Sequence, residues 1–482
     1  MVFYQKLLSL FGVTNLSIPP SWNTHGSTNI TQDLLAKLSP NASVTTDLSF
    51  APRWSDYHSP RGSKYVVLVA EEQDVVETVK FANENDLNFF AQAGGHGWTS
   101  FDWGKNDIII NLRGLNQAVV NEAKDEILLG GGTLQGEALA EAAANDVFVV
   151  AGGFNCVSAL GVALGGGLGR WINRYGIHAD NIIKVNLVTA EGELIEVSEN
   201  SHPDLLWAIR GAGPNFGIVT SATMQAHPIL NKGQLWEGEL TFAADKLEKY
   251  IEAINTMNYT EDMTNHWRFA LNEHGTPVIV ANVFFMSGDV EAARAGFKIL
   301  YDLEPIADTT EVKQYAHIND GRDALCAHGG RKPAWSVGLK SLDYPSFKTI
   351  LDEFVKFVAD TGIMTTIMQI ECYHNDAMRR IGSEGASYPF RDINFYALII
   401  PVYDDASLDP VVETFGSRVN DLWKRSSGYE KQRTYINFAH GDEPLEQVYG
   451  DSLCRLSQLK GKWDPLGRFN QWFPIPVPVN EL

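Results

Sequence analysis

Ala91-Gln-Ala-Gly-Gly-His-Gly-Trp98 and Gly152-Gly-Phe-Asn-Cys-Val-Ser-Ala-Leu-Gly-Val-Ala-Leu-Gly-Gly-Gly-Leu-Gly169 are two glycine-rich stretches, each following an apolar, strand-like run. Glycine has no Cβ, so such loops can bring backbone N–H groups against a phosphate. Two of them suggest a long, flat ligand gripped at more than one place. His96 stands alone inside the first loop, bracketed by Gly94, Gly95 and Gly97. Loops positioned by strands carry function, which makes His96 the first candidate residue.

The surroundings of the loops alternate strands and helices. Tyr65–Val69, Leu87–Ala93, Ile108–Ile110, Ile127–Leu129 and Val147–Ala151 read as strands. Glu71–Asn85 reads as a helix with Val75, Val76, Val79 and Phe81 on one side, and Leu134–Ala144 as an alanine-rich helix. The fold class is α+β. No G-x-G-x-x-G occurs here, since Arg170 falls where the third glycine of Gly165-Gly-Gly-Leu-Gly169 would stand, so a nicotinamide-binding unit is disfavoured. Past Pro228 the texture changes. Pro277–Met286, Thr365–Tyr373 and Ile393–Tyr403 read as long strands. Ser346–Gly362 places Phe347, Ile350, Leu351, Phe354, Val355 and Val358 on one helical face. This predicts a second domain, an antiparallel sheet backed by helices.

The chain has 482 residues with 38 basic against 59 acidic side chains, a net charge of −21. That field repels nucleic acid and anionic membranes. No apolar run reaches the roughly 18–20 residues of a membrane span. The first twenty residues make a poor signal peptide, because Ser9 and Gly12 interrupt the Leu7–Val13 apolar run. The cytoplasm is therefore favoured over secretion, and the Asn-x-Ser/Thr sites at Asn15, Asn29, Asn41 and Asn258 do not establish the latter. Four cysteines, 156, 326, 372 and 454, are too few and too scattered for a disulfide framework, and no CxxC metal spacing occurs. No metal site is expected.

Gln92-Ala-Gly-Gly-His-Gly97 resembles the pyrophosphate loop of the berberine bridge enzyme-like FAD-linked oxidases, within the vanillyl-alcohol oxidase/PCMH superfamily. Leu164-Gly-Gly-Gly-Leu-Gly-Arg170 and Tyr175-Gly-Ile-His-Ala-Asp-Asn181 are similar to its second flavin loop and the following turn. Pro203–Thr220 is close to its most recognisable run, and Tyr435–Glu443, Tyr449-Gly450, Leu456–Lys462 and Trp463–Pro474 resemble its C-terminal segment. The resemblance spans about residues 45–476. It implies a PCMH-type FAD-binding domain begun by residues 1–228, a substrate-binding domain at 229–434, and a tail at 435–482 that returns to the flavin.

The same resemblance implies site residues. FAD would contact Gln92, Ala93, Gly94, Gly95, His96 and Gly97 on the first loop. On the second it would contact Phe154, Cys156, Val157, Ser158, Gly161, Gly165, Gly166 and Gly167, and further on Asn215, Gly217, Ile218, Val219 and Asn470. His96 matches the family's covalent anchor for the flavin 8α-methyl. The cysteine that often adds a second link, to flavin C6, is replaced by Phe154, so a single link through His96 is expected. Cys156 then reads as a small packing residue, or as a cysteine that a shift of register brings to the ring. Val157 matches a position where valine leaves room for oxygen at the flavin, which favours an oxidase. Tyr435 and Asn437 match the family's substrate-facing Tyr-x-Asn pattern, with Phe438 replacing its second tyrosine. Tyr435 is the leading candidate base, followed by Tyr396, Tyr373 and Glu371 on the second domain's strands, whose faces depend on register.

The chemistry so implied is hydride transfer from a small organic metabolite to flavin N5, with O2 as the second substrate and H2O2 as product. The tail variant resembles fungal secondary-metabolite relatives. Oligosaccharide oxidation, a flavin-guided cyclisation and a flavin-holding protein without turnover are the alternatives.

Overall fold

The structure, a computed structural model, describes residues 30–57, 65–97 and 107–478. Trp98, the first twenty residues, Asn15 and Asn29 lie outside the described residues.

Strands β1 (Ser43–Thr45), β2 (Tyr65–Leu68), β3 (Phe89–Gln92) and β4 (Ile108–Asn111) form a sheet in the order β1-β2-β4-β3. β2, β4 and β3 are parallel, with the helix Glu72–Glu84 crossing from β2 to β3. Asp74 accepts the Glu71 N–H at 3.0 Å at that helix's start. Its Val75, Val76, Val79 and Phe81 are buried against Val67, Phe89 and Ile110. The first glycine loop leaves β3 at the carboxyl end of this parallel sheet, the end where open parallel sheets bind ligands.

Five antiparallel strands follow: β5 (Ala118–Val120) and β6 (Glu126–Gly130), then, past the short β7 (Val147–Phe148), β8 (Ile182–Val188), β9 (Leu194–Ser198) and β10 (Ile218–Gln225), in the order β5-β6-β10-β8-β9. The predicted strand at 147–151 is shorter than its apolar run. Only Val147 and Phe148 pair, with β11 (His227–Pro228), while Val149 turns its N–H to the Tyr315 hydroxyl. β8, β9 and β10 were not anticipated as a group, because long-range pairing rather than a local pattern assembles them.

The second half is one eight-stranded antiparallel sheet. Its strands are β12 (Gln234–Ala243), β13 (Met263–Leu271), β14 (Pro277–Phe285), β15 (Ala307–Asp308), β16 (Glu311–Gln314), β17 (Trp335–Leu339), β18 (Thr366–Cys372) and β19 (Phe395–Pro401). The order is β15-β12-β14-β13-β18-β19-β17, with β16 also on β12. Helices Leu247–Thr256, Tyr344–Thr361 and Asp409–Ser426 cover one face. Asp343 caps the second of these on the Ser346 N–H. Phe347, Ile350, Phe354, Phe415 and Trp423 pack there against Trp267, Val337, Ile370 and Ile399. The antiparallel sheet backed by helices is thus as the sequence predicts.

Since strand side chains alternate, the opposite face carries the residues between these. The register aligns Glu239, Asn282, His266, Glu371, Tyr396 and Gly338 in one row across six strands. That face turns towards the glycine loops. No helix among the described residues is long and apolar enough to cross a membrane.

Candidate active site

A cavity of about 890 Å³ separates the glycine loops from the polar face of the large sheet. It is at the upper end of the range for small-molecule and cofactor sites. The first loop forms one end. The N–H groups of Gly94, Gly95, His96 and Gly97 have no protein acceptor among the described residues. Four consecutive free amides are costly to bury and make a concave site for an anion. Gly95 has φ +70°, and a Cβ there would meet the Pro52 carbonyl oxygen at 2.3 Å, so only glycine holds this turn. Gln92 braces the loop by donating from Nε2 to the same Pro52 oxygen at 2.9 Å.

His96 lies inside this end. Its Nδ1 is 2.9 Å from the Gly94 oxygen, which can only accept, so Nδ1 carries the hydrogen and Nε2 the lone pair. The ring stacks on Trp54 at 5.9 Å and meets His328 edge-on at 5.2 Å. Burial lowers the imidazole pKa to about 4, against the opposing Gly94 bond and with His328 and Lys332 adding to the fall. His96 is therefore neutral at physiological pH. Lys332 donates to the oxygens of Trp54 (2.6 Å), Ala327 (2.9 Å) and Gly329, fixing the wall behind it.

Cys156 corrects one expectation. It is neither a buried packing residue nor a free thiol but is bonded to Cys326, 170 residues away. Its Sγ is 3.5 Å from His96 Nε2. The scatter of cysteines along the sequence hid this pair, since only the packing of the two halves brings them together.

Ala93, Phe154, Val157, Ser158, Gly161, Gly217, Ile218 and Val219 line the cavity with His96 and the flanking glycines. Ser158 also caps the helix Ala159–Ala163. Other sequence candidates stand elsewhere. Gly165, Gly166 and Gly167 are buried and off the cavity wall: a Cβ on Gly165 would sit 2.2 Å from Asn437 Oδ1 of the tail, one on Gly166 2.8 Å from the Tyr388 ring and one on Gly167 2.5 Å from His178. Asn215 is a buried peg that donates to Tyr449 Oη (3.0 Å) and the Trp472 oxygen (3.1 Å) and accepts from the Ile475 N–H (3.0 Å). Asn470 is exposed, its side chain taken by Gln471, while Phe469 and Trp472 on either side reach the cavity. Tyr396 is 1% exposed and off the wall, its hydroxyl 3.2 Å from that of Tyr388.

Tyr435 and Asn437 do reach the cavity. The Tyr435 oxygen receives N–H groups from Gly167 (3.1 Å), Leu168 (3.2 Å) and Asn437 (2.7 Å). Asn437 also donates to the Val162 oxygen at 2.9 Å. The pair thus pins the tail to the second glycine loop. Burial pushes the Tyr435 phenol well up, with Tyr388 adding to it and the Asn437 and Leu168 bonds opposing.

Glu371 faces the cavity from β18. Its carboxylate accepts from Tyr373 Oη (2.7 Å) and Gln369 Nε2 (2.6 Å). Burial raises its pKa to about 7, more than those two bonds and Arg170 lower it. Arg170, Arg268, Arg322, Glu239 and His266 share this end of the cavity and escaped sequence reasoning. Glu239 and His266 share the cross-strand row of Glu371, which only the register reveals, Arg268 lies two residues further along β13, and Arg170 and Arg322 come from loops, Arg170 at the end of the second glycine motif.

The family model described as "FAD binding domain" matches residues 63–198, and that described as "Berberine and berberine like" matches 434–476. The FAD-linked oxidoreductase anuG of Penicillium roqueforti is 30% identical over 442 residues, covering 88% of this chain and 86% of the relative. The chain belongs to the berberine bridge enzyme-like FAD-linked oxidoreductases. A second fungal relative, the FAD-linked oxidoreductase tazG of Aspergillus terreus, is 29% identical over 91% of this chain and 93% of its own. In fold the chain is similar to BBE-like 1 of Physcomitrella patens, with a TM-score of 0.81 and 20% identity over 94% of this chain and all of that one.

The residues present fit FAD. The free amides of 94–97 suit its pyrophosphate, and the apolar wall of Val157, Leu160, Leu168 and Ile218 suits a flat ring system. Tyr435, Asn437 and Trp472 close the wall from the tail.

Proposed function

We propose that this oxidoreductase is an oxidase of small organic metabolites, with FAD tethered to His96 and Glu371 as the base. The observation that supports it is the position of Glu371. It is a buried carboxyl, poised near neutrality, that lines the cavity from the face of the large sheet. Bound FAD would supply a two-electron acceptor for the substrate's hydride, with O2 as the final oxidant and H2O2 as product.

The chain handles the proton. Glu371 has two lone-pair directions left after Tyr373 and Gln369 are satisfied, so as a carboxylate it can accept a proton from a substrate O–H or N–H. Tyr373 and Gln369 fix the orientation of that carboxylate. Tyr435, the leading base candidate from the sequence, is better suited to holding the glycine loop, because three N–H groups already fill its oxygen. Val157 on the wall keeps the small side chain that the oxidase reading needs. Leu325, Ile367, Leu398, Ile400 and Phe438, packed around Trp54 beside His96, make much of the cavity wall apolar, which favours a secondary metabolite over a sugar.

Glu371→Gln keeps the shape and removes the base. Anaerobic flavin reduction by an oxidisable substrate should slow by about 10²–10⁴-fold. The wild-type rate should rise with pH through about 7, as the carboxylate forms, and Glu371→Gln should lose that limb. Tyr435→Phe should keep it. An unchanged rate and profile in Glu371→Gln would return the role to Tyr435. Turnover without any flavin bleaching would point to a redox-neutral cyclisation instead.

A further inference from the structure

The cavity reverses the charge of the molecule. Among the described residues that line it, four are arginines, Arg53, Arg170, Arg268 and Arg322, and only two are carboxylates, Glu239 and Glu371, in a chain of net charge −21. Arg53 belongs to the phosphate end, where it donates to the Gly97 oxygen. The other three converge on the substrate end. Arg268 is paired with Glu239 at 2.9 Å. Arg170 and Arg322 are not so matched. At ion-pair distance both have one carboxylate, Glu237, at 3.4 and 3.7 Å, whose other oxygen Lys313 holds at 3.1 Å; Glu239 acts on Arg322 and Glu371 on Arg170 only through space. Glu237 is 2% exposed. Glu311, the other acid near Lys313 at 3.6 Å, is mostly in solvent and contributes little.

Three cations within ion-pair reach of one buried carboxylate leave positive charge only partly compensated in a low-dielectric wall. Arg170 is 4% exposed, and its Nη2 has no hydrogen-bond partner among the described residues. Its Nη1 is fixed by Asn319 Oδ1 at 3.0 Å, and Asn319 is tied to the Gly152 oxygen at 3.0 Å. His266, in the same sheet row as Glu371, also has a buried, unpartnered Nε2. Arg322 is the member a ligand can reach. Its side chain is 25% exposed, and its one hydrogen bond among the described residues is a long 3.4 Å contact from Nη1 to the Gly153 oxygen. Repulsion from Arg170, then burial, lowers its pKa to about 10, so it stays charged and gains from an arriving anion.

We infer that this corner binds the carboxylate of an organic acid, with Arg322 as the contact and Arg170, Lys313 and Glu237 as the frame that positions it. A guanidinium fork matches a carboxylate in shape and charge, and the apolar wall beside it takes an aryl or alkyl body. The inference names the substrate class for the oxidation proposed above and rests on that reading, yet binding can be measured apart from turnover.

The test compares benzoate with benzamide, which share shape and differ in charge, on the FAD-loaded enzyme by calorimetry and by perturbation of the flavin spectrum. Benzoate should bind about tenfold or more tightly than benzamide. Raising salt from about 0.05 to 0.5 M should weaken benzoate alone. Arg322→Gln should erase the preference with FAD content unchanged, and Arg322→Lys should keep part of it. Equal binding of the two probes, no benzoate binding, or an unchanged preference in Arg322→Gln overturns the inference. Loss of FAD from Arg322→Gln also overturns it, because Arg322 would then serve the cofactor. If Arg322→Gln does not fold, the wild-type preference and its salt dependence, with Arg322→Lys, decide. Failure of every substrate to reduce the flavin sinks the oxidase reading while leaving the benzoate preference standing.

Discussion

His96 gathers its properties from its immediate surroundings. Three glycines fold the loop tightly enough for the ring to bond its own Gly94 carbonyl, and burial keeps it neutral. A neutral imidazole keeps a lone pair on Nε2, which the proposed tether to the flavin would use. The His96→Ala protein should therefore release FAD into the supernatant after acid precipitation, while wild type keeps the colour in the pellet. Cys156 is held in its disulfide, so the intact mass of denatured His96→Ala should equal that of the bare polypeptide. A flavin mass retained in His96→Ala would show a second link. The histidine, its glycines and Val157 were legible in the sequence because each belongs to a contiguous motif. Glu371 was only the last of several candidates, because its value depends on burial and on which face of β18 it takes.

At the scale of elements, the segment that carries Arg322, Cys326 and His328 is held to the glycine loops by independent ties. Cys326 is bonded to Cys156, Trp54 Nε1 donates to the Leu325 oxygen at 2.7 Å, and His328 Nε2 lies 3.0 Å from the Gly94 oxygen. The segment comes from the half that bears the large sheet and the loops from the other, so these ties close the cavity. Removing a cross-link over so long a separation should cost stability, about 2–4 kcal/mol in typical cases. Cys326→Ser should lower the thermal midpoint and speed amide exchange in residues 320–330, with exchange in β2 and β4 unchanged. Equal exchange in the two proteins would show that the hydrogen bonds suffice. Helix Tyr344–Thr361 and strands β14, β18 and β19 were legible from their periodicity. The disulfide was not, because no local pattern encodes a contact across 170 residues.

For the whole molecule, the buried titratable groups set how stability depends on pH. Burial takes the pKa values of His96, His178 and His227 to about 4, and the Nε2 of His178 is buried without a partner among the described residues. The unfolded chain protonates its histidines near 6.5, and the folded one resists until about 4. Stability is therefore lost as pH falls from about 6.5 towards 4. Glu371 acts oppositely, since the fold raises it to about 7; its contribution is present below the ordinary carboxylate range and lost as pH rises through 7. Three histidines outweigh one carboxylate. The urea midpoint should fall between pH 6.5 and 4.5, and His178→Asn, which keeps a donor for the Gly167 oxygen and cannot charge, should flatten part of that slope. A midpoint independent of pH across this window, or an equal slope in His178→Asn, would remove the histidines from the account.

By itself, the sequence determined the α+β class, the two glycine loops, His96 and the resemblance to the flavin family. Those are properties of short contiguous runs, where glycine content and apolar period act through local backbone geometry. The tertiary structure decided the rest. Tyr396 came from a correctly predicted strand, but packing sealed it behind Tyr388 and Tyr435. Asn215 and Gly165 proved to be supports, because the tail's side chains occupy the space around them. Arg170, Arg322, His266 and Glu371 became one corner only through the register of antiparallel strands and the closing of one half upon the other. Their chemistry is that of charges sharing a dry wall, and which charges share it is set by packing across the whole chain.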